Sequence, residues 1–217
     1  MAVVQLNGQN IRVGNVFCIG RNYAAHAAEL GNAVEAEPLV FLKPTSALAG
    51  AGEPLHLPAY SRDVHHECEL VLLIGRGGHD IPESAALQHV AGYAIGLDMT
   101  ARDVQSIAKQ KGLPWTKAKG FRGAATVSAF VPAERVADPG LLEFSLQVNG
   151  ETHQQGDTRL MLFPVPAIIH YLSTVYGLSE GDLIYTGTPE GVAAVKPGDR
   201  LQLDLHGLVS AEWSVAE

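Results

Sequence analysis

The sequence predicts an α+β fold that is rich in β-structure. Strand-like runs outnumber helical ones, turn signals such as Asn149-Gly150 recur, and strands and helices do not alternate regularly. A doubly wound parallel sheet requires such alternation, so a mixed sheet is expected instead. At 217 residues and 47% hydrophobic content, the chain suffices for one domain over residues 1–217, which begins with a short β-hairpin over residues 1–13.

The N-terminal elements are expected in the order hairpin, strand, helix. Residues 3–13 alternate around Asn7-Gly8, which is the signal of a two-residue hairpin turn, and residues 16–19 suit a short strand. The next segment, RNYAAHAAELGN, predicts a helix over residues 23–30. Asn22 can cap its start, the alanines favour helix, and Gly31 suits its C-terminal end.

The remaining elements follow from β-branched and aromatic runs and from helical periodicity. Strands are expected at residues 38–42, 68–74, 92–97, 144–148, 183–185, 200–205 and 209–215. Helices are expected at residues 82–89, 100–110 and 164–176. This excess of strands over helices is the basis of the predicted β-rich fold.

The composition excludes several classes of function. With 15 basic against 23 acidic residues, the net charge is −8 and no Lys/Arg run stands out, so nucleic-acid binding is not expected. Cys18 and Cys68 lie outside any CxxC spacing, which leaves neither a disulfide framework nor a cysteine-ligated zinc site. No secretory signal or long uncharged apolar span is visible, so a cytoplasmic protein without a membrane segment is expected.

Two glutamates share one face of a predicted strand. In HHECELVLLIG, Glu67 and Glu69 are continued on that face by Val71 and Leu73. A solvated strand face is the ordinary explanation of a Glu-x-Glu pair. A face that is acidic at one end and apolar at the other instead indicates carboxylates at the end of a buried strand, where their mutual repulsion requires a cation.

Asp98 is a candidate third oxygen ligand, because it closes an apolar strand just before a predicted helix. Three carboxylates with no thiolate in ligand spacing favour Mg²⁺ or Mn²⁺. The alternative for Asp98 is a helix-capping role. Zinc is less favoured, because adjacent His65 and His66 on a strand point to opposite faces and at most one can join the glutamates.

His26 and Glu29 are three positions apart on the Ala-rich helix. This spacing puts them on one face, where the carboxylate can orient the imidazole so that it activates water. An ordinary surface His/Glu pair is the alternative. Flanking Arg21 and Gly31 suit a segment that closes over a ligand, and the lack of a G-x-S-x-G motif favours a metal with activated water.

Candidate substrate contacts lie in three further segments. Lys43, Arg102 and Lys119 stand beside apolar runs and could bind a substrate carboxylate, although each alone could be a surface charge. Gln105 follows Arg102 at i+3 on the same helix face. In TGTPEG, Thr188 and backbone N–H groups could meet an anion, with a plain turn as the alternative. The segment lacks the GK[ST] of a phosphate-binding loop.

Seven segments together resemble the fumarylacetoacetate hydrolase family, specifically its short single-domain acylpyruvate hydrolases and oxaloacetate decarboxylases. They are GRNYAAHAAE, PLVFLKP, HHECEL, GLDMTARDVQ, KGLPWTKAKGF, VNGE and YTGTPEGV, in that order, over roughly residues 14–205. The resemblance implies a β-roll of mixed sheets of the family's C-terminal domain type, assembled as a homodimer.

The resemblance also implies roles for ten residues. The implied metal ligands are Glu67, Glu69 and Asp98. The implied water-activating pair on a lid helix is His26 and Glu29, and the implied active-site lysine is Lys119. The implied substrate contacts are Lys43, Arg102, Gln105 and Thr188.

The implied reaction is metal-dependent hydrolysis of a 2,4-dioxo acid such as fumarylpyruvate or acetylpyruvate. The metal holds the 1-carboxylate and 2-oxo oxygens, His26 deprotonates a water that attacks C4, and cleavage of C3–C4 releases pyruvate. Decarboxylation of oxaloacetate, which passes through the same enolate, is one alternative. Isomerisation or decarboxylation of hydroxylated dienedioates in aromatic degradation is another. Outside the enzymes, the alternative is a non-catalytic oxo-acid-binding protein, which would need no base.

Overall fold

The structure is a computed structural model that describes residues 2–31, 35–49 and 52–217. Strands make up most of its regular structure. In chain order they are β1 (Val3–Leu6), β2 (Gln9–Arg12), β3 (Val16–Gly20), β4 (Leu39–Lys43), β5 (Val64–His66), β6 (Cys68–Ile74), β7 (Val90–Asp98), β8 (Thr100–Ala101), β9 (Ala125–Val127), β10 (Val131–Pro132), β11 (Glu143–Val148), β12 (Glu151–Asp157), β13 (Leu183–Tyr185), β14 (Ala193–Ala194), β15 (Arg200–Leu205) and β16 (Val209–Ser214).

The helices are few and short. They are α1 (Ala24–Glu29), α2 (Glu83–Ala86), α3 (Arg102–Lys111), α4 (Thr116–Lys119) and α5 (Val165–Val175), with 3-10 turns at Thr45–Ala47, Leu87–His89, Ala133–Arg135, Pro139–Leu141 and Thr158–Leu160. Within the described ranges, none of them has the length and apolar character needed to cross a bilayer.

The strands form four sheets. The largest has seven strands: six follow the order β10-β7-β6-β13-β3-β4, and β9 also pairs with β7. This sheet is mixed, because β13 runs parallel to β3 while the other strand pairs, such as β13 with β6, are antiparallel. A four-stranded antiparallel sheet has the order β12-β11-β15-β16, a small sheet joins β14, β5 and β8, and β1 pairs with β2 as a hairpin. The predicted β-rich α+β fold with mixed sheets is thus confirmed.

Strand β6 lies at the centre of the molecule, and all seven of its residues are buried. One face, including Leu70 and Leu72, packs into the large core shared with the four-stranded sheet and α5. The other face, including Val71 and Leu73, packs into a second, smaller core. Each such buried leucine stabilises the fold by about 1.5–3 kcal/mol relative to an exposed one. The alternation read from the sequence therefore places residues of β6 in two different cores.

The first predicted helix forms, but its start differs from expectation. Helix α1 begins one residue later, Tyr23 occupies the N-cap position without a side-chain cap bond, and Gly31 adopts the expected left-handed conformation with φ +63°. The Asn22 amide instead donates to the carbonyls of Phe163 and Thr186 at 3.1 and 2.8 Å. Asn22 therefore anchors the helix to the TGTPEG segment rather than capping it.

Candidate metal and substrate site

The three carboxylates predicted as metal ligands meet at one end of the β6–β7 ladder. Cys68 pairs with Leu97 in antiparallel register, and the Asp98 N–H donates to the Glu67 carbonyl at 2.8 Å. This register brings Asp98 opposite the Glu67–Glu69 segment, and one oxygen of each carboxylate lies within 4.8 Å of the others. All three residues are buried, with 1–4% of their surface exposed, so the solvated-face explanation does not hold.

Two cations stabilise the ionised form of Glu67. Lys119 Nζ donates to Glu67 Oε2 at 2.6 Å, and Arg102 Nη2 donates to Glu67 Oε1 at 2.5 Å. Burial alone would raise the Glu67 pKa, but Lys119 and Arg102 outweigh it and hold that pKa well below its usual range. Burial likewise disfavours the Lys119 ammonium, but the attraction of Asp98 and Glu67 leaves its pKa raised.

Glu69 has a different environment. Its Oε2 accepts a hydrogen bond from the Gly187 N–H at 2.7 Å, while no cationic side chain in the described ranges forms an ion pair with it. Burial and the nearby charges of Asp98 and Glu67 raise its pKa well above the usual range. Gly187 has φ +100°, and a Cβ there would lie 2.7 Å from that of Asn22, so only glycine allows this approach.

This donor set fits a divalent metal ion. Three hard carboxylate oxygens converge without a thiolate, and the repulsion at Glu69 is of the kind that a bound cation relieves. The two histidines weighed as zinc ligands are not part of this carboxylate group: His65 contacts Asp63 at 2.9 Å, and His66 contacts Gln154 at 3.0 Å.

Lys43 lies behind Asp98 and not in the cleft. Its Nζ is 2.7 Å from Asp98 Oδ1 and donates to the carbonyls of Ala124, Met99 and Lys119, so its donors are already engaged. Its side chain is fully buried. In this structure Lys43 contacts Asp98, and the substrate contact expected of it stays a prediction.

The capping alternative for Asp98 is also excluded. Helix α3 begins at Arg102, its N-cap is Ala101, and no side chain caps it. Asp98 is instead the last residue of β7, and its two oxygens are held by Lys43 and Lys119 at 2.7 and 2.8 Å.

His26 and Glu29 lie together on α1 beside the cleft. The His26 Nδ1–H donates to Glu29 Oε2 at 3.4 Å, and Glu29 Oε1 accepts from the Gly191 N–H at 3.1 Å. Because a carboxylate only accepts, this contact favours the proton on Nδ1 and leaves Nε2 with a free lone pair. Burial lowers the His26 pKa, which keeps the imidazole neutral.

The other predicted substrate contacts occupy two different elements. On α3, Arg102 Nη1 donates to Gln105 Oε1 at 2.8 Å, as the i,i+3 spacing suggested. In the TGTPEG segment, the Thr188 hydroxyl donates to the Cys68 carbonyl at 2.8 Å and accepts from Gln154 Nε2 at 2.8 Å. The Thr188 proton is therefore committed within the protein.

One cleft collects eight of the ten predicted site residues. They are His26, Glu67, Glu69, Asp98, Arg102, Gln105, Lys119 and Thr188. Its remaining wall is largely apolar and includes Ile19, Leu30, Leu39, Phe41 and Trp115. Charged groups at the base and apolar side chains around them suit a small, anionic ligand.

Residues 15–216 match the family model described as the fumarylacetoacetate (FAA) hydrolase C-terminal domain. This chain belongs to the fumarylacetoacetate hydrolase family. The family and fold expected from the seven motifs are thereby confirmed, and the chain is a member of an enzyme family.

Within the fumarylacetoacetate hydrolase family, relatives with several activities are similar. The mitochondrial oxaloacetate tautomerase FAHD1 of Rattus norvegicus is 53% identical over 201 residues, which cover 93% of this chain and 91% of the relative. The mitochondrial oxaloacetate decarboxylase of Dictyostelium discoideum is 47% identical over 195 residues, 89% of each chain. Fumarylpyruvate hydrolase of Pseudomonas aeruginosa, whose structure was solved with Mn²⁺ and pyruvate, matches with a TM-score of 0.95 at 40% identity. The match covers 99% of this chain and 95% of that hydrolase.

Two polar residues of this family member lie at the site but were not predicted. Lys109 lines the cleft, and its position seven residues after Arg102 on α3 could have revealed it. Gln154, on β12, is 1% exposed and accepts hydrogen bonds from the N–H of Cys68 and from His66, both at 3.0 Å. No sequence pattern marks Gln154, because it lies in a polar stretch whose other members face solvent.

Proposed function

We propose that this chain is a divalent-metal-dependent enzyme that interconverts the keto and enol forms of oxaloacetate. The observation that carries the proposal is the buried group of Glu67, Glu69 and Asp98, whose three negative charges are matched by those of Lys43, Arg102 and Lys119. A divalent ion would add two positive charges, which equal the charge of a carboxylate plus an enolate oxygen. The 53% identical oxaloacetate tautomerase supports oxaloacetate as the substrate.

Glu67, Glu69 and Asp98 would hold the ion, which we propose to be Mg²⁺ or Mn²⁺ because all three ligands are hard oxygens. When bound, it would supply a Lewis acid that polarises the 2-oxo group. Arg102 and Lys119 add fixed positive charge beside the same carboxylates. Positive charge that is in place before the reaction favours the enolate over the keto form.

His26 is the proposed base. Its Nε2 takes a proton from C3 of oxaloacetate, the C–H electron pair forms the C2–C3 double bond, and the oxo oxygen becomes the enolate oxygen. The imidazolium then gives its proton to that oxygen, which yields the enol and restores neutral His26, and the reverse sequence returns the proton to C3. Glu29, 3.4 Å from Nδ1, orients the ring and favours the imidazolium that forms during transfer.

The test measures exchange of the C3 hydrogens of oxaloacetate with D₂O by NMR, with Mg²⁺-loaded protein. We expect His26→Ala to slow exchange by roughly 10²–10⁴-fold, whereas His56→Ala, at an exposed site, retains the wild-type rate. Exchange by the wild type no faster than by free Mg²⁺ would contradict the proposal.

Hydrolysis of acylpyruvates is the second candidate, and the His26–Glu29 pair supports it. The same Nε2 would deprotonate a water that attacks C4, and cleavage of C3–C4 would release pyruvate and a carboxylic acid. The likeness to a fumarylpyruvate hydrolase supports this reaction too. A product assay separates the reactions: hydrolysis of fumarylpyruvate or acetylpyruvate yields pyruvate and a second acid, decarboxylation of oxaloacetate yields CO₂, and tautomerisation of oxaloacetate yields neither.

We also propose that the chain forms a homodimer in the cytoplasm. Leu42, on the edge strand β4, and Ile107, on α3, expose 43% and 53% of their surface, and burial of such side chains favours association. Light scattering after size-exclusion chromatography should give twice the 23.0 kDa chain mass.

Microscopy of the tagged full chain tests the proposed cytoplasmic location. The alternative is a mitochondrial location, since the two similar relatives are named mitochondrial.

A further inference from the structure

Helix α3 presents three polar residues to the cleft, and the third of them, Lys109, has no role in the proposed function. Arg102, Gln105 and Lys109 stand at positions i, i+3 and i+7, so they share one face of the helix, and all three line the cleft. Lys109 is one turn farther from Asp98 than Gln105 is. Its Nζ lies 5.5 Å from the centre of the Trp115 ring, which holds the cation at the wall of the cleft.

Arg21 lines the same cleft from the end of β3. It has φ +59°, a left-handed conformation that is strained for a residue other than glycine. Its guanidinium forms an ion pair with Glu35. A strained arginine thus stands just before α1, whose His26 lines the same cleft.

These two cations differ from those around the carboxylates. Arg102, Lys119 and Lys43 are each within 2.8 Å of Glu67 or Asp98. In contrast, Lys109 is exposed and forms no ion pair with any carboxylate in the described part of the chain. Partial desolvation and then the charges of Arg21 and Arg102 lower its pKa, and the opposing charge of Glu67 does not reverse the shift. A cation surrounded by like charges gains stability when an anion binds next to it.

We propose that Lys109 and Arg21 form a second anion subsite, which binds the distal carboxylate of a dianionic 2-oxo acid and so selects dicarboxylates over monoanionic analogues. The inference rests on the proposed function, since the 2-oxo acid end must lie at Glu67, Glu69 and Asp98. The charge count supports it: three cations and a divalent ion balance the three carboxylates and the reacting end of the substrate. A distal carboxylate then requires further positive charge, which Lys109 supplies without giving up an existing partner.

The test compares two five-carbon ligands that differ only in the distal carboxylate, 2-oxoglutarate and 2-oxopentanoate. Isothermal titration of the Mn²⁺-loaded wild type should show tighter binding of 2-oxoglutarate. Lys109→Met keeps the stem beside Trp115 but removes the charge. It should reduce the ratio of the affinity for 2-oxoglutarate to that for 2-oxopentanoate roughly 10-fold, the effect of one charge-assisted hydrogen bond. It should also raise the KM for oxaloacetate, with a smaller change in kcat.

Two variants control for charge and structure. Lys109→Arg should retain most of the wild-type ratio, and Lys111→Met, an exposed lysine on the same helix, should leave the ratio and the KM unchanged. The subsite would be overturned if Lys109→Met changed neither the affinity ratio nor the KM for oxaloacetate, and the proposed function would then remain intact. Failure of both ligands to bind the Mn²⁺-loaded wild type would overturn the oxo-acid site and the subsite with it.

Discussion

Lys119 Nζ lies 2.8 Å from Asp98 Oδ2, and this contact joins the four-residue helix α4 to the end of β7. The same ammonium lies 2.6 Å from Glu67 Oε2, so one cation links the carboxylate at the end of β7 to the one just before β6. All three side chains are at most 6% exposed. The geometry of the site therefore depends on a cation from outside the sheet.

Lys119→Met should destabilise the metal-free protein by about 3–5 kcal/mol, because it leaves buried carboxylates without their partner. Added Mn²⁺ should restore part of the loss, since a divalent ion replaces the missing charge. Chemical denaturation with and without Mn²⁺ measures both effects. Lys117→Met, on the exposed side of α4, is the matched control, and equal stability of the two variants would count against the ion-pair argument.

Glu69→Gln should separate metal binding from folding. The Glu69 carboxylate is buried beside Asp98 and Glu67, which raises its pKa, so a neutral amide relieves repulsion in the metal-free form. We expect a metal-free melting temperature equal to or above that of the wild type, and loss of most of the stabilisation by Mn²⁺. Thermal unfolding over a Mn²⁺ titration measures this, with exposed Glu134→Gln as control. A wild-type Mn²⁺ response in Glu69→Gln would show that Glu69 is not a ligand.

The pH dependence of turnover should reflect His26. Burial lowers its pKa from the ordinary 6.5, and Arg102 lowers it further, while Glu67 and Glu29 oppose the shift without reversing it. The neutral imidazole is the active base, so the midpoint of the acid limb of the kcat/KM profile should lie below pH 6.5. Profiles of kcat/KM from pH 4.5 to 8 test this. A midpoint above 6.5 would contradict the assignment.

Glu29→Gln provides a second test of the same pair. Glu29 favours the charged imidazole, so its loss should move the acid limb of the profile to still lower pH while reducing the maximal rate. An unchanged midpoint and rate would indicate that the 3.4 Å contact has no role in catalysis.

Gln154→Leu should affect both stability and metal affinity. Gln154 Nε2 donates to Thr188 and to the Pro189 carbonyl, and its Oε1 accepts from the N–H of Cys68, which stands between Glu67 and Glu69. Each buried group left without a partner costs about 1–3 kcal/mol. Denaturation and Mn²⁺ titration measure the two effects. Gln155→Leu, one residue along and exposed, should show neither, and equal behaviour of the two variants would remove Gln154 from the site.

Much of the site could be predicted because it depends on local periodicity. Alternation along residues 67–74 placed Glu67 and Glu69 on one face, and helical spacing paired His26 with Glu29 and Arg102 with Gln105. Strand β6 matched its predicted bounds. These relationships depend on backbone geometry over a few residues, which the sequence specifies directly. The same periodicity extended by one turn would have included Lys109.

The long-range pairings could not be predicted. Lys43, at the end of β4, has the sequence context of a substrate contact, but its ammonium lies against Asp98 and the Ala124 carbonyl. Likewise, Gln154 reaches Cys68 only because the four-stranded sheet packs against a face of the larger one. The sequence by itself determined which residue types share a strand or helix face. Only the tertiary structure decided which buried charges neutralise each other, because that depends on distances between segments far apart in the chain.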